Sequence, residues 1–222
     1  MKSKQNYPVL IFVILLLVLM IVLAIVVPHN KIKRQKPETT TKPTTTEPAS
    51  VKLSTIDTDY YHGKVIGHIT CRRIGLDCDL VYGTTDDDLW KGAGLHEFSS
   101  LPGFATTPLI AGHARLCFKG FANAKDGDEI TVTMPYGTYV YRIRESKVMN
   151  RNDFDFNQLN EHNNEAIFYA CYPFYKTNYV KQNRIFFYCD LVSGPKVIDD
   201  VHGTHAQATS PNNGNGELAH FS

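Results

Sequence analysis

The chain has 222 residues, with 23 Lys plus Arg against 22 Asp plus Glu and a formal net charge of +1. So small a net charge removes the electrostatic reason to expect a nucleic acid partner. The first 50 or so residues differ in composition from the remainder, which leaves about 150 to fold, a common size for one domain.

Residues 1–7 precede an uncharged run at 9–27, VLIFVILLLVLMIVLAIVV. In a helix rising about 1.5 Å per residue, this run nearly matches a hydrocarbon core of about 30 Å. It exceeds the apolar region of about 7 to 15 residues found in cleaved signal peptides, and no small-x-small cleavage site follows it. The expectation is an uncleaved transmembrane anchor at 8–27 with residues 1–7 cytoplasmic. Lys31, Lys33, Arg34 and Lys36 follow the span, so the positive-inside rule alone leans against an external domain. The Thr/Pro tract PETTTKPTTTEPAS at 37–50 is too poor in apolar residues to fold and is stiffened by its prolines. It reads as part of a stalk over 28–52 that holds an extracellular domain, residues 53–198, off a cell membrane.

That domain reads as all-β with short helices. Its strand candidates are KVIGHITC, DCDLVYG, TTPLIAGH, DEITVTM, GTYVYRIRESKVM, EAIFYAC and RIFFYCDL, each bounded by Gly, Pro, Asn or Asp. Seven or eight short strands so punctuated point to a sandwich or a closed barrel. Alternation in TYVYRIRE places Tyr139, Tyr141 and Ile143 on one face, and MPYGT at 134–138 is a hairpin turn. Thr85 caps a helix in TDDDLWKGAG, where Asp86, Asp87 and Asp88 suit the positive end of the helix dipole better than a calcium site. Residues 121–128 and 152–160 read as further helical turns. From 199 to 222 the Gly- and Asn-rich tail has the composition of disorder.

The five cysteines, Cys71, Cys78, Cys117, Cys171 and Cys189, include no CxxC pair and no metal-ligand spacing. Cys71 and Cys78 flank a turn, and either a bridge between them or free buried thiols fits. Cys171 closes the strand EAIFYAC just before Tyr172 and Pro173, and Pro173 cannot donate to a central ladder. A thiol of ordinary pKa, about 8.5, needs a histidine or a cation beside it to act as a nucleophile. His113 is the best placed histidine: it closes the apolar strand LIAG, where Gly112 permits a turn or a close approach. Arg184 opens the last apolar strand and offers five fixed donors to a substrate carbonyl or an oxyanion. Read alone, each of the three also fits a structural role.

Taken together, LIAGH ending in His113, YACYPF with Cys171 and NRIFFYCDL with Arg184 resemble the sortases, membrane-anchored cysteine transpeptidases of Gram-positive bacteria. The resemblance spans residues 64–192 and is greatest to the class D group. It implies a closed seven- to eight-stranded sortase-type β-barrel and three catalytic residues, His113, Cys171 and Arg184. It further implies an LPxTG-like sorting signal on a secreted protein as donor and an amine of a cell-wall precursor or a pilin as acceptor. The reaction runs through a thioacyl enzyme on Cys171 and needs no cofactor. The chain departs from the family in carrying Phe168, Tyr169 and Ala170 before the cysteine, where small or hydroxylated residues are usual, and this bulk bears on the substrate groove. A papain-like peptidase is excluded, because its cysteine opens a helix ahead of its histidine. The non-enzymatic alternative is an anchored β-barrel binding module with Cys171 as a core thiol.

Overall fold

The computed structural model describes residues 16–17, 49–160, 164–175 and 182–201. The chain divides into two units, Met1–Thr44 and Thr45–Ser222. Of the first, only Leu16 and Leu17 are described, both helical, so the expected anchor otherwise lies outside the described residues, as do residues 28–48 and 202–222. Among the described residues no helix is long and apolar enough to cross a membrane.

The second unit contains, in chain order, β1 (Ser50–Lys52), β2 (Val65–Cys71), β3 (Leu76–Tyr82), the helix α1 (Asp86–Leu89), β4 (Ala93–Leu95) and β5 (Leu109–Gly112). It continues with β6 (Glu129–Met134), β7 (Gly137–Asn150), β8 (Glu165–Cys171), β9 (Asn183–Ser193) and β10 (Lys196–Ile198). Eight strands close a barrel in the order β2-β3-β4-β5-β8-β9-β7-β6, while β1 and β10 pair parallel in a separate small sheet. Ser54 donates from its backbone amide and its hydroxyl to the Asp200 carboxylate, at 2.9 and 2.7 Å. The folded unit therefore takes in Ser50–Lys52, at the end of the stretch read as stalk, and reaches Asp200.

The seven expected strands are present, and Tyr139, Tyr141 and Ile143 all turn into the core. Closure needs one more strand, β4, whose sequence AGL shows no alternation. A Cβ on Gly92 would stand 2.3 Å from the Asp79 carbonyl oxygen, and one on Gly94 would stand 2.3 Å from that of Gly83. The glycines that make this segment read as loop are what let it pack so closely.

The most buried element is β8, lying between parallel β5 and antiparallel β9, with all seven residues buried. Such a strand is apolar on both faces. On one face Phe168 packs with Phe118, Phe121 and Tyr141 inside the barrel. On the other, Tyr169 stacks on Phe186 at 5.4 Å and Phe186 on Phe154 at 4.7 Å. Two 3-10 turns, Arg151–Asp153 and Phe156–Asn160, flank Phe154 where helical turns were expected. The bulk of Phe168 and Tyr169 is thus taken up by packing, since both are fully buried.

The helical turn expected at 121–128 lies earlier, as a 3-10 segment at Cys117–Asn123. Its end is set by the turn at Asp126–Gly127, where Gly127 has φ +89° and the Asp128 amide donates to the Lys125 carbonyl. Helix α1 begins as expected at Thr85. The Thr85 hydroxyl accepts from the Asp88 amide, and the Asp88 carboxylate accepts from the Thr85 amide at 3.0 Å. Asp88 serves this capping box and is buried, which accounts for its part of the acidic run.

The cysteine pairing differs from the one weighed on sequence. Cys78 forms a disulfide with Cys117, and Cys71, Cys171 and Cys189 are free. In the β2-β3 ladder Cys71 faces Leu76, while Cys78 faces Ile69. The two are diagonal neighbours, at about 7–8 Å, beyond the Cα separation of about 4.4–6.8 Å usual for a disulfide. The bridge closes a loop of 39 residues in sequence separation. In the chain-entropy picture such a loop contributes on the order of 4 kcal/mol.

Candidate active site

Three strand ends place the residues singled out on sequence. In the antiparallel β8-β9 ladder, Cys171 is the direct partner of Arg184. Directly opposed residues bring their Cβ atoms to about 4.5–5.5 Å. Both belong to the face that carries Tyr169 and Phe186, the side away from the barrel interior. Just past the end of β8 the Tyr172 amide donates to the Asn183 carbonyl at 3.0 Å, and Pro173 follows. The parallel β5-β8 pair has Gly112 opposite Ala170. One residue on, His113 and Cys171 leave the same end of adjacent strands, which lie about 4.8 Å apart. The three residues thus meet at one rim of the barrel.

Local structure holds His113 in this place. Its carbonyl accepts from the amides of both Leu116 and Phe118, each at 3.1 Å, folding the chain into a tight turn. The next element begins at Cys117, tied by its disulfide to β3. Gly112 lies against the Phe118 ring, where a Cβ would stand 2.4 Å from the nearest ring carbon. The close approach expected of Gly112 is therefore the reason for the glycine. On its open side the His113 ring meets the indole of Trp90 at 5.4 Å between centroids.

The electrostatics separate the histidines. Burial lowers the His113 pKa, Arg115 adds to that effect, and the Asp86 charge works against it. The shift favours the neutral imidazole of His113. His62 and His68 shift the other way: a hydrogen bond to Asp88 raises the first, and hydrogen bonds to Asp79 and Asp77 raise the second. In an NMR titration of the folded unit, His113 is expected to titrate below the ordinary value of about 6.5, with His62 and His68 above it. An imidazole of His113 that titrates together with the other two would remove the case for a desolvated base.

Arg184 is 0% exposed and Cys171 7% exposed. Burial lowers the Arg184 pKa, the negative charge available at Cys171 opposes that shift, followed by Tyr169, and Arg151 reinforces it. The guanidinium donates to the Asn183 carbonyl at 3.2 Å. The cation is thus buried against the sulfur and positioned to meet negative charge developing there or on a carbonyl held above it. Among the described residues no group of three or more His, Cys, Asp or Glu side chains is arranged to hold a metal.

One residue of the site carried no role in the sequence reading. Trp90, the only tryptophan of the chain, follows Leu89, which is buried in the hydrophobic core. The indole itself is 68% exposed. A large aromatic at the solvent-facing position of a short helix was the available signal.

A family model, that of the sortase domain, matches residues 69–192, more than half of the chain. Sortase D of Bacillus subtilis (strain 168) is 29% identical over 112 residues, covering 50% of this chain and 57% of that protein. The chain thus spans little more than half the length of that curated relative. Among solved structures, a sortase D5 transpeptidase from Clostridium perfringens superposes with a TM-score of 0.54 at 24% identity, over 61% of this chain and 83% of that one. Sortase C from Clostridium perfringens, solved with the C-terminal cell wall sorting motif, gives 0.55 at 23% identity, over 61% and 74%. At these identities the two structures establish likeness of fold.

Proposed function

The chain belongs to the sortase family, and from that premise we propose that it is a cysteine transpeptidase, with Cys171 as nucleophile, His113 as acid and base, and Arg184 as electrostatic stabiliser. The observation that carries this reading is the direct pairing of Cys171 with the buried Arg184 at the strand end next to His113.

The geometry supports the following sequence of steps. Neutral His113 takes the proton of the Cys171 thiol, and the sulfur attacks the carbonyl carbon of the Thr–Gly bond in an LPxTG-like signal. Arg184 stabilises the oxyanion of the tetrahedral intermediate. The C–N bond breaks, the imidazolium of His113 protonates the departing amine, and a thioacyl enzyme remains on Cys171. An incoming amine then attacks that carbonyl, giving an amide and releasing Cys171. The sorting motif named with the Clostridium perfringens sortase C structure supports a donor of this chemistry. A cell-wall precursor or a pilin would supply the amine. Similarity to a sortase D supports a class D assignment. The uncharged run within residues 8–27 supports a single-pass anchor, with the catalytic domain extracellular and close to secreted substrates.

Mass spectrometry after incubating residues 45–222 with a library of LPxTG-like peptides tests the reading. An acyl adduct on Cys171, with release of the C-terminal peptide fragment and no adduct in Cys171→Ala, is the expected result. No adduct with any peptide, together with a Cys171 no more reactive toward a thiol probe than Cys71 or Cys189, would favour the anchored binding module.

A further inference from the structure

The second half of the proposed reaction requires an amine to reach the thioacyl carbonyl next to the base that takes its proton. At neutral pH a primary alkylamine arrives as an ammonium, with a pKa near that of lysine, about 10.4. The site therefore has to hold a cation beside a neutral imidazole. Among the described residues, Trp90 combines a ring contact with His113 and an exposed face, with ring centroids 5.4 Å apart, planes tilted by 56°, and 68% of the residue exposed. Indole is the aromatic that attracts cations best, through the negative face of its quadrupole. Leu89, 1% exposed, anchors the preceding position in the hydrophobic core, so the indole stands on a fixed support.

We propose that Trp90 is a specificity-determining residue of the acceptor step, its exposed face seating the ammonium of the incoming amine beside His113. This assignment rests on the transpeptidase reading above. The charges of Asp86 and Arg115 act on His113 in opposite directions, Asp86 the more strongly, and the indole face adds an attraction for a cation beside the ring. The bound ammonium gives one proton to neutral His113. The resulting amine attacks the thioacyl carbon, the C–N bond forms, the C–S bond breaks, and the second proton lost from nitrogen goes to the departing Cys171 thiolate. Of the three protons of the ammonium, two end on His113 and Cys171 and one stays on the amide nitrogen, and charge is conserved.

The test separates the two half-reactions in the folded unit, residues 45–222. Thioacyl formation is followed by mass, and its partition between hydrolysis and aminolysis is measured against increasing N-acetyl-lysine amide, a charged amine, and hydroxylamine, which is neutral at the same pH. The partition is measured per thioacyl enzyme formed, so any change in acylation is divided out, and Trp90→Ala is expected to raise the half-saturating concentration of the charged amine about two- to fivefold, the range of an exposed cation–π contact. Hydroxylamine capture should not change. Trp90→Phe should fall between wild type and alanine, and Trp90→Leu, apolar but without a π face, should behave as alanine. Because Trp90 is the only tryptophan, its fluorescence also reports amine binding directly, and saturable quenching by N-acetyl-lysine amide is expected. Thioacyl enzyme that forms normally while Trp90→Leu partitions like wild type, or an equal loss with both nucleophiles, overturns the assignment of Trp90 and leaves the transpeptidase reading standing. Absence of thioacyl enzyme in wild type overturns both.

Discussion

Arg184→Met is expected to slow thioacyl formation about 10²- to 10³-fold, the usual consequence of removing one oxyanion-stabilising donor, while leaving the melting temperature unchanged or raised. The two halves of this expectation come from the same fact. Arg184 is fully buried in a ladder of aromatic neighbours, and burial lowers its pKa, which marks a cation that the surrounding packing disfavours. Taking such an ion out of water costs several kcal/mol even after relaxation. Methionine fills a similar volume without that cost. The groups that favour its charge are the Cys171 sulfur and then Tyr169, and both can remain protonated in the variant. Arg184→Lys keeps the charge but loses the planar fork, so it should recover only part of the rate. Single-turnover acylation with a sorting peptide, alongside thermal unfolding of each variant, makes the comparison. If Arg184→Met unfolds several degrees lower and acylates at the wild-type rate, the arginine is a structural element and the catalytic reading of the pair fails.

What could be read in the sequence follows from how local each signal is. That Cys171 and Arg184 stand at the ends of apolar strands was legible, one strand being stopped by Pro173 and the other opened by the arginine itself, whereas their direct pairing came from the ladder. The Thr85 cap and the inward faces of Tyr139, Tyr141 and Ile143 were legible for the same reason, since capping and alternation are decided within a few residues. Strand β4 was not, because its glycines signal a loop unless the backbones they must pass are known. Nor was the Cys78–Cys117 bridge, whose partners are 39 residues apart and meet only when the turn after His113 folds onto β3. The role now assigned to Trp90 likewise depends on a neighbour, His113, that sequence places 23 positions away and the barrel brings into ring contact.

The other large expected effect concerns Gly112, which reaches the site only through the segment that follows it. Gly112→Ala is expected to cost about 1–3 kcal/mol of stability, roughly 3–10 °C in melting temperature for a domain of this size. The methyl group would stand 2.4 to 2.6 Å from three carbons of the Phe118 ring. That ring is buried, packed on Phe121 at 4.5 Å and near Phe168, so it has little room to withdraw. Relief must come instead from the backbone of the turn, which is fixed at one end by the amides of Leu116 and Phe118 on the His113 carbonyl and at the other by the Cys117 disulfide. Movement at that turn carries His113 with it. A shift of about 1 Å in a catalytic group costs on the order of 10²-fold in rate, so acylation should fall further than the lost stability accounts for. Adding Phe118→Leu removes most of the colliding ring. The double variant should be less destabilised than the sum of the two single changes and should regain part of the acylation rate. Strict additivity in both measurements would mean that the Gly112–Phe118 contact does not position the histidine, and that the glycine serves the barrel alone.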